Sequence, residues 1–144
     1  GLDDATVGGT YYGGNTGIMS VMFSPSVGEV DITTGDIVIT GASAGMAFGW
    51  GPSAEDADAD GKGDLLIGAA SESGGAGGVY VFWGLAAGTY SSADADAHLM
   101  GASGDNAGTG NAWADMNQDG LLDAVIGAYN VDGHGGVYTM YNFQ

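Results

Sequence analysis

Nine residues written twice, 59 positions apart, restrict what this chain can fold into more than anything else in it. The copies are Asp56-Ala57-Asp58-Ala59-Asp60-Gly61-Lys62-Gly63-Asp64 and Asp115-Met116-Asn117-Gln118-Asp119-Gly120-Leu121-Leu122-Asp123. Oxygen-bearing side chains stand at positions 1, 3, 5 and 9 of each copy, with Gly at position 6. The alternation aims the oxygens at one centre, the Gly allows a sharp turn, and the position-7 carbonyl can complete the shell of a hard cation such as Ca²⁺. A helix–loop–helix calcium site is excluded. It needs a bidentate Glu at position 12, where this chain has Ile67 and Ile126. Each copy runs instead into a short apolar stretch, Leu65-Leu66-Ile67 or Ala124-Val125-Ile126, closed by Gly-Ala, and these read as buried strands. Asp64 and Asp123 therefore stand where a cation loop enters a strand.

The loops belong to a longer internal repeat. Gly68-Ala69 matches Gly127-Ala128, and Gly77-Gly78-Val79-Tyr80 matches Gly135-Gly136-Val137-Tyr138 with one residue fewer between. Upstream, Ile39-Thr40-Gly41-Ala42-Ser43 overlays Leu99-Met100-Gly101-Ala102-Ser103, and Gly1 to Gly9 overlays Gly120 to Ala128, with Asp4 on Asp123. The spacing divides the 144 residues into a partial unit over 1–45, a full unit over 46–103 and a partial unit over 104–144, one array of about two and a half copies. Each unit reads as four strands, placed in the middle one near Met46–Trp50, Asp64–Ala70, Gly78–Gly84 and Ala97–Ser103. Val79 to Trp83 and Ile37 to Thr40 are β-branched and aromatic, as strands prefer. No stretch carries a 3.6-residue apolar period. The expectation is an all-β chain with almost no helix, built from four-stranded antiparallel blades of β-propeller type.

Ala47-Phe48-Gly49-Trp50-Gly51, the Asp loop, and Leu65-Leu66-Ile67-Gly68-Ala69-Ala70 together resemble an FG-GAP repeat, the repeat of the integrin α-subunit β-propeller and of many bacterial surface and secreted proteins. The resemblance runs in register over essentially the whole chain. It implies blades of four antiparallel strands with Ca²⁺ held between the first two. Carried over by position, the ligands would be Asp56, Asp58, Asp60 and Asp64 with the Lys62 carbonyl, then Asp115, Asn117, Asp119 and Asp123 with the Leu121 carbonyl. The third unit departs from the pattern, with Ala107-Gly108 where Phe-Gly would stand, and Ala70 and Tyr129 replace the Pro that follows Gly-Ala. These departures bear on packing and leave the metal ligands untouched.

Family propellers close a ring, commonly of seven blades, and this chain supplies fewer than three. Exposed sheet faces and edges invite association. The chain is therefore expected to be a piece of a longer propeller, a protomer completed by other copies in a ring or filament, or an open stack capped in another way. Asp4, without positions 1, 3 and 5 of its loop, cannot hold a metal alone.

The formal charge is −17, with Lys62 the one basic residue besides two His. Such a surface argues against nucleic acid and anionic membrane as partners, and no run of the sequence reads as a membrane span or signal peptide. Loops of extracellular modules bind Ca²⁺ with Kd of about 10⁻⁴–10⁻³ M, so the expected location is extracellular, secreted or on the cell surface. There is no Cys. An enzyme has little to rest on: His98 and His134 read as surface or turn residues, and nucleophile elbows and phosphate loops are absent from the sequence. Asp94 and Asp96 imitate half a loop, lack the Gly and closing acid, and read as a solvated connection. A structural or adhesive module acting through protein–protein contact is the leading expectation. A glycan- or protein-binding one is the alternative, with Trp50, Trp113 and Tyr129, which flank the loops, as candidate stacking residues.

Overall fold

The structure, a computed structural model, describes residues 4–25 and 28–141; the overlay of Gly1, Leu2 and Asp3 on the second Asp loop falls outside them. The chain forms three sheets. The first contains β1 (Ala5–Gly9), β2 (Ile18–Met22), β3 (Ile37–Thr40) and β7 (Gly88–Ser91), in that spatial order. The second contains β4 (Phe48–Glu55), β5 (Asp64–Ala69), β6 (Gly78–Phe82) and β8 (Ala97–Met100), all antiparallel. The third is β9 (Ala107–Ala114), β10 (Asp123–Ala128) and β11 (Gly136–Met140), also antiparallel. What helix there is amounts to single turns, and those after β1 and β5 contain left-handed residues. Among the described residues the sheets stack in chain order and do not close a ring.

Burial on both faces explains the unbroken apolar runs of β5 and β6. Leu65, Ile67, Ala69, Tyr80 and Phe82 enter a core shared with Met19, Val21, Ile37 and Ile39 of the first sheet. Their neighbours Leu66, Val79 and Val81 point the other way, into a core shared with Trp113, Ala124, Ile126 and Ala128 of the third. A one-residue slip would exchange the two sets, so both cores pin the register. The sheets meet closely at one repeated place. A β-carbon on Gly8 would strike the carbonyl of Gly49, and one on Gly68 would strike the carbonyl of Gly108. Only glycine lets the inner strands β4 and β9 lie against the preceding sheet.

Two features differ from the sequence expectation. The inner strand of the second sheet runs on to Glu55, with its register shifting on either side of Trp50. More consequentially, the first sheet is not purely antiparallel. Its outer strand, β7, comes from the β6–β8 connection of the next unit and pairs in parallel with β3. The Gly88 N–H donates to the Asp36 carbonyl (2.8 Å), Ser92 Oγ accepts from the Ala42 N–H (2.9 Å), and Tyr90 packs on the first core. Asp94, expected to be merely solvated, closes a capping box with Ser91 that turns the chain back toward β8. Asp96 likewise accepts the Trp83 N–H at 2.8 Å, as Asp36 accepts that of Phe23 at 2.7 Å.

The two outward faces are unlike. Ile18, Ser20, Met22 and Val38 of the first sheet are buried, with the single turn Ile32–Thr34 lying over β2 and β3. On the third sheet, Val125 is half-buried and Val137 is 65% exposed.

Candidate metal centre

The first Asp loop connects β4 to β5. Its side chains are held by the loop's own amides: Asp56 Oδ2 accepts from Gly61 N–H (3.0 Å), Asp58 Oδ1 from Asp60 N–H (3.0 Å), and Asp60 Oδ1 from Lys62 N–H (2.8 Å). Such local bonds are what Asp offers a backbone that must leave regular structure. Carboxylate oxygens of Asp56, Asp58 and Asp64 lie within 4.8 Å of one another, the convergence the alternating pattern predicts. Asp60 is turned aside, its Oδ2 paired with Lys62 Nζ at 2.7 Å. That hydrogen bond to the ammonium holds the exposed Asp60 carboxyl below the ordinary carboxylate range, and the same contact raises Lys62.

Asp64 differs from the others because it is completely buried. Its Oδ2 accepts from Ala57 N–H and its Oδ1 from Gly84 N–H, both at 2.8 Å, so it ties the start of the loop to the end of β6. Burial pushes its carboxyl above the usual range. The Gly84 and Ala57 amides oppose the shift, while the charge of Asp58 adds to it. The same device recurs in the first unit, where Asp4 Oδ1 accepts from Ser24 N–H at 3.0 Å. Sequence reading caught the alignment of these acids and missed this role. The signal available was that the closing acid recurs in all three units, at Asp4, Asp64 and Asp123.

The second loop, between β9 and β10, repeats the backbone closely. Position 4 is left-handed in both, at φ 62° for Ala59 and for Gln118, and Gly61 and Gly120 have φ of 86° and 88°. Its side chains repeat the first loop's local bonds, with Asn117 Oδ1 accepting from Asp119 N–H and Asp119 Oδ1 from Leu121 N–H, both at 2.9 Å. Asp115 accepts from Asp119 and Gly120 N–H (3.1 and 2.9 Å), and the Asn117 amide donates to Asp119 Oδ2 at 2.9 Å. The buried Asp123 accepts from Met116 N–H at 2.9 Å. The place of Asp58 in the first-loop trio is taken here by Asn117. Leu121, whose carbonyl was the expected ligand, is 39% exposed and brings no cation. The first loop has four carboxylates and Lys62, the second three carboxylates and Asn117, so both carry a formal charge of −3.

The residues present fit a hard divalent cation. The donors are all oxygen, and a buried carboxyl destabilised by its own burial and by a neighbouring carboxylate is relieved by a cation between them.

The flanking aromatics divide. Trp50 is 39% exposed on β4, and Tyr129, just after β10, is 65% exposed. Trp113 is not on a rim. It is buried in the second core, inclined against Trp83 with ring centroids 5.7 Å apart, and its indole N–H donates to the Asp64 carbonyl at 3.3 Å. As a sugar-stacking candidate it is corrected to a core residue that fastens the third sheet to the first loop.

Comparison with protein families matches residues 48–82 to the FG-GAP repeat, which spans β4, the first Asp loop, β5 and β6. Comparison with curated proteins gives no match. Among the described residues no helix is long and apolar enough to cross a membrane.

Proposed function

We propose that this chain is a calcium-stabilised, non-enzymatic architectural or adhesive module that works outside the cell through protein–protein contact. The observation that carries the reading is the convergence of Asp56, Asp58 and Asp64 in a segment matching the FG-GAP repeat. Asp56, Asp58 and Asp64 would hold the first Ca²⁺, with Asp60 and the Lys62 carbonyl joining them. Asp115, Asn117, Asp119, Asp123 and the Leu121 carbonyl would hold a second. Bound cation would offset the repulsion among the loop acids. At calcium ten times Kd, each site adds about 1.4 kcal/mol, a large part of a marginal stability. The units 1–45, 46–103 and 104–144 would then behave as one array. Calorimetric melting in millimolar calcium and in chelator tests this: a higher Tm with calcium is expected, and equal melting in the two sinks it.

Association with further copies, in a ring or a filament, is part of the proposal. It is supported by the outward face of the third sheet, where Val137 is 65% exposed among the described residues. Light scattering should give a mass above the monomer in calcium that falls on chelation. A monomer in both conditions would favour the second reading, a segment of a larger integrin-like propeller that captures a protein or glycan. The exposed Trp50 and Tyr129 support that reading.

A further inference from the structure

The two Asp loops lie on neighbouring sheets, and one residue is tied to both. Trp113 stands on β9 two residues before Asp115, where the second loop begins. Its indole N–H donates to the Asp64 carbonyl at 3.3 Å, and its backbone N–H donates to Ser53 Oγ at 3.4 Å. Asp64 opens β5, by which the chain leaves the first loop. Ser53 lies on β4, by which the chain enters it, three residues before Asp56. Trp113 is thus held by both arms of the first loop while its own strand feeds the second.

Packing joins the loops as well. Ala57, at position 2 of the first loop, is buried in the same core as Trp113, and Leu122, at position 8 of the second, packs against that core. The Trp83 ring lies 5.7 Å from that of Trp113, and the next residue, Gly84, donates its N–H to Asp64 Oδ1 at 2.8 Å. At the interface of the first two sheets the repeat puts Ala54 in the place of Trp113. A methyl group has no hydrogen to donate to a carbonyl, so the bridge belongs to this pair of loops.

We propose that the two cation sites are coupled through Trp113, so that filling one raises the affinity of the other. The inference rests on the calcium reading above and names how its sites are regulated. With a cation between them, the carboxylates of Asp56, Asp58 and Asp64 no longer repel, and the ends of β4 and β5 that carry them can approach. Those ends also carry the two acceptors of Trp113. Both bonds are longer than the usual N–H···O distance of about 2.9–3.0 Å, so closure of the arms can tighten both. A residue fixed there fixes the end of β9, and with it Asp115, the first acid of the second loop. Linkage makes the effect mutual. One hydrogen bond sets its scale, about fivefold in affinity.

The test is a calcium titration of the full chain followed by NMR, with the amide resonances of Gly61 and Gly120, at position 6 of each loop, reporting the two sites separately. Asp58→Ala, which removes a carboxylate of the first site, should raise the calcium midpoint read at Gly120 about fivefold. Should that variant fail to fold, Asp60→Ala, a change at an exposed residue, serves in its place. Trp113→Phe keeps a ring and removes the indole N–H. In that background both loops should still respond, and adding Asp58→Ala should move the Gly120 midpoint by less than about twofold. The cycle separates the bridge from the charge that Asp58→Ala removes. An unchanged Gly120 midpoint in Asp58→Ala would make the sites independent and overturn the coupling while leaving the calcium reading intact. An equal shift with and without the indole N–H would overturn the role of Trp113. No response of either glycine to calcium would overturn the reading and the coupling together.

Discussion

The second and third units present almost the same backbone with different contents. In the second, Phe48 fills the gap between sheets, β6 is buried throughout, and Lys62 balances a fourth carboxylate. In the third, Ala107 leaves the gap open, β11 is mostly half-buried or exposed, and Asn117 removes a charge where no Lys is available. What the two units share is the loop turn, the buried closing acid and the strand that follows. The elements that set the backbone are kept, while those that fill space or tune charge vary, because a glycine at positive φ has few substitutes and a ring can be replaced at the cost of a cavity.

The largest test of this contrast is Phe48→Ala, which would make the first interface resemble the second. A loss of about 3–5 kcal/mol is expected in denaturant melts, against less than about 1 kcal/mol for Met100→Ala beside the cavity already open. Equal losses would erase the distinction between the interfaces. Next comes Asp64→Asn. Both Asp64 oxygens accept backbone N–H groups, so the amide turns a donor toward a donor. A loss of about 1–3 kcal/mol is expected even in chelator. Asp58→Asn copies the second loop and should leave the chelated protein nearly unchanged. If Asp64→Asn weakens only the calcium-loaded protein, the closing acid is a ligand alone and not a structural tie.

The pH dependence of melting in chelator sharpens the same point, and its sign follows from burial. The folded carboxyl of Asp64 titrates above 3.8, so between that value and its raised folded pKa the folded state binds more protons than the unfolded one. Its contribution therefore declines as pH rises through that window. Asp60 acts oppositely: its lowered pKa gives stability present above 3.8 and lost as pH falls through the folded value. Calcium should flatten the Asp64 part, and a pH profile identical with and without calcium would contradict it. Smallest in stability is Lys62→Leu, which gives the first loop the second's residue at position 7. Asp60 is released and the loop's formal charge falls to −4, so calcorimetric titration should show tighter calcium binding with little change in the chelated Tm. Weaker binding would mean that the ammonium orders the loop more than it competes.

Some elements were legible because local chemistry decides them. The Asp–Gly pattern predicts a turn followed by a strand, and the Leu65–Ile67 run can be satisfied only by burial on both faces. β7 was not legible. Gly88-Thr89-Tyr90-Ser91 sits among Gly, Ala and Ser, and its partner β3 lies about 50 residues earlier, so nothing local marks it as a strand. Trp113 was visible as an aromatic beside a loop, but its burial depends on Trp83 and the Asp64 carbonyl, which arrive from another sheet.

By itself the sequence determined the all-β class, the repeat, the positions of the two acidic loops and the strands they enter, because turns, alternation and Gly placement act over a few residues. Only the tertiary structure decided that β7 crosses to the first sheet, that three of the first loop's four acids converge while Asp60 turns to Lys62, and that Ala107 opens a cavity between the second and third sheets. Each of these depends on which side chains from distant units share the same space, and no local pattern encodes that.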